Sequence, residues 1–146
     1  MADFVIYTDG GYSQKHGVGA FAYVMLDGEG NFIRKGAWKI TNETNNRAEL
    51  KAIITAVYHL FRDKADVIIN SDSMYAINTL SGKWARNANT DLFEVWDRIL
   101  KENDYKLTFN WVKGHSGNEY NEMCDRMCSE VSGLDLNAEY DKYKKK

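Results

Sequence analysis

The sequence predicts a single α/β domain built on a five-stranded mixed β-sheet flanked by helices. Two apolar, β-prone runs each end in an acidic residue, at Asp9 and at Asp72. Three strand patterns follow one another near the start of the chain, joined by short turns, and the apolar period then changes to that of a helix. With 146 residues, 44% of them apolar, the chain can bury one sizeable core. We expect residues 1–134 to form this domain and residues 135–146 to be a frayed polar tail.

The first strand is the apolar run that begins at Phe4 and leads through Asp9 into Gly10 and Gly11. A run without alternation is typical of a strand that is buried on both faces. The double glycine predicts that the strand ends at Asp9 and that the chain reverses there. Carboxyl ends of central strands form the ligand crevice of open α/β sheets, so Asp9 is a candidate functional acid. The alternative is an ordinary Asp-Gly turn residue.

The second and third strands are predicted at residues 20–26 and 31–40, with a turn at residues 27–30. Short connections between consecutive strands predict an antiparallel meander, so the first three strands should be antiparallel.

The first helix is predicted from about Asn46 to Arg62, because its apolar residues recur at helical spacing. Its expected buried stripe is Ala48, Ile53, Ile54, Val57, Leu60 and Phe61. Glu49 is the polar exception near the start of this helix. A carboxylate in the first turn stabilises the helix dipole, so Glu49 is either a capping residue or a functional acid.

The fourth strand, residues 67–71, follows this helix and delivers Asp72 to its end. A helical connection of this length predicts a right-handed crossover that places the fourth strand parallel to the first. Asp9 and Asp72 would then be neighbours, with Glu49 leaning over them.

The remaining elements are two helices, a strand and a final helix. The helices are predicted at residues 73–80 and 91–102, the latter with an apolar face of Leu92, Val95, Trp96, Ile99 and Leu100. Residues 81–90 form a polar connection, residues 106–112 the fifth strand, and residues 113–117 a loop that carries His115. The final helix should start near Asn118 with the apolar side Tyr120, Met123, Cys124, Met127, Cys128 and Val131. The two cysteines, four residues apart, favour packing over a disulfide or a zinc site.

Four carboxylates, those of Asp9, Glu49, Asp72 and Asp125, lie at the ends of elements that could converge. Such a cluster would repel itself and raise the pKa values of its members unless a cation neutralised it. Oxygen ligands without His or Cys suit Mg²⁺ or Mn²⁺, and two such ions serve in-line displacement at phosphorus. The alternative is a set of unrelated surface acids.

Charge and termini add little to this prediction. The net charge of −2 does not by itself indicate nucleic-acid binding. The N-terminus shows no secretory pattern and no window reaches membrane-spanning length, so we expect a soluble, cytoplasmic, monomeric protein.

Five blocks of sequence make the chain resemble ribonuclease H of type 1. They are residues 7–11 (YTDGG), 44–50 (TNNRAEL), 71–75 (SDSMY), 111–117 (WVKGHSG) and 121–125 (NEMCD). The resemblance implies the ribonuclease H-like fold and endonucleolytic cleavage of the RNA strand of RNA–DNA hybrids. It also implies that Asp9, Glu49, Asp72 and Asp125 hold two Mg²⁺ ions, with Mn²⁺ as a substitute, and that His115 assists proton transfer or product departure.

The resemblance further implies a set of substrate contacts. Asn45 and Asn46 would touch the minor groove of the hybrid, where 2′-hydroxyls distinguish RNA from DNA. Gly10 and Gly11 would allow close approach to the RNA strand. Thr44 and Asn89 would grip a DNA phosphate. Apart from the resemblance, we expect Trp84 either to pack against a DNA sugar, with Lys83 and Arg86 on its phosphates, or to be a half-buried core residue.

Three departures from the family pattern predict a reduced grip on the substrate. Asn42 stands where many relatives carry an arginine, Met74 stands where some carry a glutamine, and residues 81–90 are too few for a basic helical protrusion. A related nuclease that cleaves DNA and a non-catalytic hybrid-binding module remain as alternatives. A replication-associated protein partner could compensate for the weaker grip.

Overall fold

The molecule is a mixed β-sheet covered on both faces by helices. The computed structural model describes residues 1–113 and 117–134. The strands are β1 (Phe4–Ser13), β2 (Val18–Asp27), β3 (Phe32–Thr41), β4 (Lys64–Ser71) and β5 (Asp104–Trp111). Their order across the sheet is β3-β2-β1-β4-β5. Because β1, β2 and β3 pair antiparallel while β4 pairs parallel to both β1 and β5, the predicted fold class is confirmed.

Four helices are present in the described part of the chain: α1 (Asn45–Tyr58), α2 (Met74–Leu80), α3 (Thr90–Glu102) and α4 (Glu119–Ser132). Thr44, Ser73 and Asn118 cap α1, α2 and α4 by accepting hydrogen bonds from backbone N–H groups of the first turn. No described helix has the length and apolarity needed to cross a membrane.

The two faces of the sheet carry separate cores. Alternate residues of β1 and β2 point to opposite faces, so Ile6 and Met25 pack under α1 to α3, whereas Ala22 and Val24 pack under α4. The helix α4 supplies Cys124 to the smaller core. Both cysteines are buried and unbridged, as predicted.

The first strand does not end at the double glycine, and this prediction was wrong. Gly10 and Gly11 stay in β1, paired with Phe21 and Ala20 of β2. The pairing of β1 with β4, in contrast, stops at Tyr7 opposite Asn70. The reason is that β2 continues as a partner where β4 has ended. Asp9 therefore lies where β1 separates from β4. The crevice is the gap between these two strands, and the chain does not reverse there.

Phe61 is not part of the buried stripe of α1. The helix ends at Tyr58, four residues earlier than predicted, and Phe61 follows with a left-handed backbone (φ 51°) and an exposed ring. The chain reverses here within a few residues to enter β4 at Lys64. The α3 prediction also needs correction, because Phe93 packs in the core with Trp96 while Val95 is exposed.

Candidate active site

Three acidic side chains meet where β1 separates from β4. Carboxylate oxygens of Asp9, Glu49 and Asp72 all lie within 4.8 Å of one another. Asp9 is on β1 two residues past the last pairing with β4, Asp72 follows the final residue of β4, and Glu49 descends from α1. The sheet geometry thus brings together three of the four acids that the sequence singled out.

Close contact between α1 and β1 sets the position of Glu49. A Cβ atom on Gly10 would lie 2.6 Å from the backbone carbonyl carbon of Ala48 and 2.8 Å from the backbone N of Glu49. Only a glycine therefore lets the helix backbone lie directly on the strand. Glu49 is the fifth residue of α1 and the first turn holds no acid, so the capping alternative is wrong; Thr44 caps the helix.

The cluster has too few hydrogen-bond donors for its oxygens. Glu49 Oε1 and Asp72 Oδ1 are buried and have no hydrogen-bond partner among residues 1–113 and 117–134. A buried acceptor left without a donor costs about 1–3 kcal/mol. Glu49 and Asp72 lie close enough for a hydrogen bond between their carboxyl groups, which adds to the rise in the pKa of Glu49.

Burial and mutual repulsion raise the pKa values in the cluster. Desolvation is the main cause that holds the pKa of Asp9 well above its ordinary 3.8, with added repulsion from Asp72 and Asp125. The same desolvation, with repulsion from Asp72 and Asp9, raises the pKa of Glu49 well above 4.5. The backbone N–H of Gly10 opposes both shifts by donating toward the two carboxylates.

The fourth predicted acid, Asp125, lies on α4 beside the trio. Two thiols of this helix point at backbone carbonyls of β1: Cys124 Sγ lies 3.3 Å from Tyr7 O, and Cys128 Sγ lies 3.8 Å from Asp9 O. These contacts hold the helix face between them against β1. Asp125 is close enough to raise the pKa of Asp9, although it is outside the 4.8 Å group.

Trp111 is a neighbour of the site that sequence reasoning did not assign. Its indole Nε1–H donates to the backbone carbonyl of Asp72 at 3.0 Å. The backbone N–H of Val112 donates to Ser71 O at 2.9 Å. These two bonds from β5 fix the chain at the end of β4, so they also fix the direction of the Asp72 side chain. In the sequence, the position of Trp111 at the start of the WVKG block was the feature that could have indicated this role.

The predicted phosphate-binding residues Thr44 and Asn89 lie beside a compact ionic network. Arg47 bonds Asp91 through two nitrogens at 2.8 Å each, Glu43 at 2.6 Å and Asn89 Oδ1 at 3.3 Å. Lys51 forms a second ion pair with Glu43. We call Glu43, Arg47, Lys51 and Asp91 the ionic network; the sequence analysis missed it.

The ionic network shifts pKa values in the opposite direction to the acidic cluster. Hydrogen bonds from Arg47 lower the pKa of Asp91 to about 2. Burial acts to raise the pKa of Glu43, but the hydrogen bonds and charges of Lys51 and Arg47 outweigh it and lower that pKa. The hydrogen bond with Asp91 raises the pKa of Arg47 above its ordinary value. Glu43, Arg47 and Asp91 are therefore charged at neutral pH, and each lies beside an opposite charge.

The side chains near the ionic network are partly committed to the fold. Thr44 Oγ1 accepts the N–H of Arg47, and Asn45 Oδ1 accepts the N–H of Tyr12 at 2.6 Å. Asn89 has a left-handed backbone (φ 60°), and its Nδ2 donates to Tyr75 OH at 2.8 Å. Asn46 is exposed at the start of α1. Asn45 and Asn46 keep amide groups that these bonds do not use, whereas both polar atoms of the Asn89 amide are engaged, Oδ1 by Arg47 and Nδ2 by Tyr75.

Two other predicted site residues stand apart from the trio. Trp84 is 49% exposed on the connection between α2 and α3, and Gly11 lies in β1 opposite Ala20. Arg86, near Trp84, is held by Asp97 at 2.8 Å and lies over the Phe93 ring. His115 lies outside the described residues.

The donor set of the acidic cluster fits a divalent cation. Its possible metal ligands are all carboxylate oxygens, which hard cations such as Mg²⁺ prefer. Two of these oxygens are buried and accept no hydrogen bond from the described residues. A bound cation would satisfy the buried oxygens and remove the repulsion that raises the pKa values of Asp9 and Glu49.

Comparison with known protein families points to one family over nearly the whole chain. The family model described as RNase H matches residues 1–132. A protein of Clostridium botulinum named Ribonuclease H is 36% identical, with 90% of this chain and 96% of that protein covered. A Synechocystis protein named Ribonuclease HI is also 36% identical, with 84% and 82% covered.

Solved structures of low sequence identity share the fold. The N-terminal RNase H domain of a Mycobacterium tuberculosis protein superposes with a TM-score of 0.74 at 18% identity, covering 98% of this chain and 99% of that one. LC11-RNase H1, solved in complex with an RNA/DNA hybrid, gives a TM-score of 0.75 at 24% identity, covering 89% and 96%.

Proposed function

Since the chain belongs to the RNase H family, we propose that it is an endonuclease that hydrolyses the RNA strand of RNA–DNA hybrids. The observation that carries the proposal is the cluster of Asp9, Glu49 and Asp72, whose buried oxygens lack donors at the point where β1 leaves β4. Relatives named Ribonuclease H and Ribonuclease HI cover most of the chain at 36% identity. A non-catalytic module would not need such a cluster, because unpaired buried carboxylates destabilise a fold.

We propose that Asp9, Glu49, Asp72 and Asp125 hold two Mg²⁺ ions, for which Mn²⁺ could substitute. The three clustered acids and the effect of Asp125 on the pKa of Asp9 support this assignment. When bound, such ions activate a water for attack on phosphorus and stabilise the leaving oxygen. Asp9 is central, because its pKa responds to both Asp72 and Asp125, so it is our candidate for the bridging ligand.

The chain's own residues position the reacting groups in this proposal. Gly10 lets Glu49 approach Asp9, Trp111 fixes the end of β4 beside Asp72, and Cys128 contacts the Asp9 carbonyl. Rigid positioning of this kind supplies much of an enzyme's rate enhancement. We further propose that His115 assists proton transfer or product departure, so that His115→Ala should slow turnover without preventing metal binding.

The proposed substrate contacts follow the helix α1. Asn45 and Asn46 would read the minor groove from the first turn of α1, and Thr44 and Asn89 would hold a DNA phosphate. Gly10 and Gly11 would lie close to the RNA strand, and the half-exposed Trp84 would pack on a DNA sugar. Because the ionic network is internally neutral, its Arg47 is not a spare phosphate ligand.

We propose that the protein works as a monomeric domain of residues 1–134 in the cytoplasm. The test of the activity uses three labelled duplexes of one sequence, RNA–DNA, RNA–RNA and DNA–DNA, incubated with Mg²⁺. The expected result is internal cleavage of the RNA strand in the hybrid alone, and none with Asp9→Asn. Equal cleavage of the DNA duplex would instead assign the chain to the DNA-cleaving nucleases that share this fold.

A further inference from the structure

An exposed aromatic surface lies on the α1 side of the sheet, at the junction of the edge strand β3 and the C-terminal end of α1. It consists of Trp38, Tyr58, His59 and Phe61, with Arg34 beside them, and we call it the aromatic patch. No residue of the proposed active site belongs to it. Tyr58 is 61% exposed and Phe61 67% exposed, while Trp38 is 37% exposed.

The rings form one continuous surface around His59. The ring of Trp38 stacks on that of His59 with centroids 5.8 Å apart, and the rings of Tyr58 and Phe61 meet the same imidazole edge-on at 5.5 and 5.6 Å. The indole of Trp38 lies over Gly36, where a Cβ atom would be only 2.6 Å from the ring. The glycine therefore lets the indole lie flat on the strand, where it also stacks on Phe21 and Tyr23 and stays 37% exposed.

Phe61 combines two costly features. Its left-handed backbone (φ 51°) is strained for a bulky residue by roughly 1–2 kcal/mol. Its ring is also exposed, so burial of the side chain does not offset this strain. Asn or Gly would suit the backbone better, which indicates that the phenyl ring itself has a use on the surface.

The charges around the aromatic patch are positive. The guanidinium of Arg34 lies 5.1 Å from the centroid of Phe61, and within the described residues its buried Nε has no hydrogen-bond partner. The described part of the chain contains no ion pair to Arg34. The strand β3 carries Arg34, Lys35 and Lys39 and no acidic residue. An anionic partner would therefore be attracted to this edge of the sheet.

A groove of about 420 Å³ continues the patch around the end of α1 toward α3. Tyr58 and Phe61 form its border with the patch, and its charged lining is mixed, with Arg62 and Arg98 beside Asp63 and Glu102. A flexible chain could thus follow the rings from β3 into the groove.

We propose that the aromatic patch binds single-stranded nucleic acid. Exposed aromatic faces stack on unpaired bases, and a cation beside the rings, here Arg34, neutralises a phosphate between them. A duplex keeps its bases stacked and offers no free base to these rings, so the patch should prefer single strands. Trp38 stacks on Phe21, which pairs with Gly10 of β1, so the patch begins two strands, roughly 10 Å, from the proposed active site. It is placed to hold a single-stranded extension of a hybrid.

The test measures binding of labelled dT12 and U12 by fluorescence anisotropy at low salt in EDTA, where the proposed metal site is empty and no cleavage occurs. Phe61→Asn removes the ring and suits the left-handed backbone, so this variant should fold at least as well as wild type. We expect Phe61→Asn and Tyr58→Ala each to weaken binding about tenfold. Phe32→Ala is the matched control. Phe32 is a 57% exposed ring on β3, the strand that carries Trp38, but it pairs with Leu26 and lies on the other face of the sheet.

A second pair of variants tests the charges. Arg34→Gln should lower the salt slope of dT12 binding by about 0.7, as expected for one contact to a single strand, whereas Lys35→Gln on the opposite face should change it less. Equal affinities for wild type, Phe61→Asn and Tyr58→Ala would overturn the proposal. So would full displacement of dT12 by a blunt hybrid, which would place the single strand in the active-site crevice. Loss of self-association in the ring variants, with unchanged dT12 binding, would assign the patch to a second copy of the chain.

Discussion

Two groups of acidic residues flank the first turns of α1, and their electrostatics are opposite. The acidic cluster of Asp9, Glu49 and Asp72 has no cation beside it, and its Asp9 and Glu49 have raised pKa values. In the ionic network, Glu43 and Asp91 are bonded to Arg47 and have lowered pKa values. Glu49 of the cluster and Arg47 and Lys51 of the network lie on the same helix, so the contrast comes from the side chains that surround this helix and not from the helix itself.

The charges of the ionic network stabilise the fold, whereas those of the acidic cluster need a bound ligand to compensate them. Each carboxylate of the ionic network has its counter-charge in the chain, so the network contributes to stability without metal. The acidic cluster lacks that compensation, and burying such charges costs free energy unless an external cation binds. An uncompensated cluster that persists in a folded domain is therefore a candidate functional site.

Replacing Asp9 with Asn should have the largest effect. Because the carboxylate is the proposed bridging ligand, we expect Asp9→Asn to reduce hybrid cleavage by about a thousandfold or more, the equivalent of several kcal/mol of transition-state stabilisation. The free energy of unfolding in EDTA should stay the same or rise, since one repelling charge is gone. Single-turnover cleavage and urea denaturation measure the two effects.

The matched control is Glu43→Gln in the ionic network. It should lower the free energy of unfolding by about 1–2 kcal/mol, because it breaks charge-assisted bonds to Arg47 and Lys51. Cleavage at saturating hybrid should change little. If Glu43→Gln instead matched Asp9→Asn in lost activity, the distinction between the two groups would fail.

Gly10→Ala tests whether the position of Glu49 matters as much as its charge. The new methyl group would lie 2.6 Å from the backbone of Ala48, so α1 must move away from β1. We expect a loss of about 1–3 kcal/mol in stability and a fall in cleavage of roughly a hundredfold, as a displacement near 1 Å produces. Gly30→Ala is the control for lost stability alone, because the left-handed backbone of Gly30 (φ 89°) strains an alanine while no atom lies within 4 Å of its Cβ position. Unchanged cleavage in folded Gly10→Ala would contradict the role of this close contact.

The sequence predicted the acidic cluster because period and length suffice to align β1, α1 and β4. Asp9 and Asp72 end apolar runs, and a crossover helix places those runs side by side. The same reasoning could not find the ionic network, since Arg47 and Asp91 are 44 residues apart and meet only through the packing of α1 and α3. It also read Gly10 as a turn, although a glycine within a strand equally signals close backbone approach.

Phe61 shows a second limit of pattern reading. It has the right spacing for the buried stripe of α1, but the helix ends before it and the backbone turns its ring outward. Apolar spacing does not tell where a helix stops when no Pro or Gly marks the end. The end of the helix could have been inferred from the run of polar residues that follows Phe61, namely Arg62, Asp63 and Lys64.

The pH dependence of stability should differ for the two acidic groups. For Asp9 and Glu49, whose pKa values are raised in the fold, stabilisation is fully present below their ordinary values of 3.8 and 4.5 and is lost as pH rises through the folded values. For Asp91, with a pKa of about 2, stabilisation is present above the ordinary 3.8 and is lost as pH falls through the folded value.

Above about pH 5 the acidic cluster should therefore dominate the change. We expect the free energy of unfolding in EDTA to fall as pH rises from 5 to 8, and Mg²⁺ to reverse that fall. In Asp9→Asn the fall should be smaller. Urea denaturation across this range checks the sign, and a rise in stability with pH in EDTA would contradict the pKa directions of the cluster.

The smallest effect concerns Asn42, which precedes Glu43 at the edge of the ionic network. Asn42 is exposed with a left-handed backbone (φ 54°), at the position where the resemblance to ribonuclease H of type 1 implies an arginine that holds a DNA phosphate. Arg47 and Lys51 are matched in charge by Glu43 and Asp91, so an arginine at position 42 would be the uncompensated cation of this region. Asn42→Arg should tighten hybrid binding and steepen its salt slope by about 0.9 if it gains one phosphate contact.

The control for Asn42→Arg must carry the same backbone strain without the charge. Asn42→Gln does so, because both replacements lose the tolerance of Asn for the left-handed region, at roughly 1 kcal/mol of stability. The salt slope should then change in the arginine variant alone, and single-turnover cleavage at saturating hybrid should be nearly the same in both, since a phosphate contact of this kind binds ground state and transition state equally. A slope that is equal in the two variants would mean that position 42 does not face phosphate. The neutrality of the ionic network would then reflect its role in the fold alone, with no bearing on how the substrate is held.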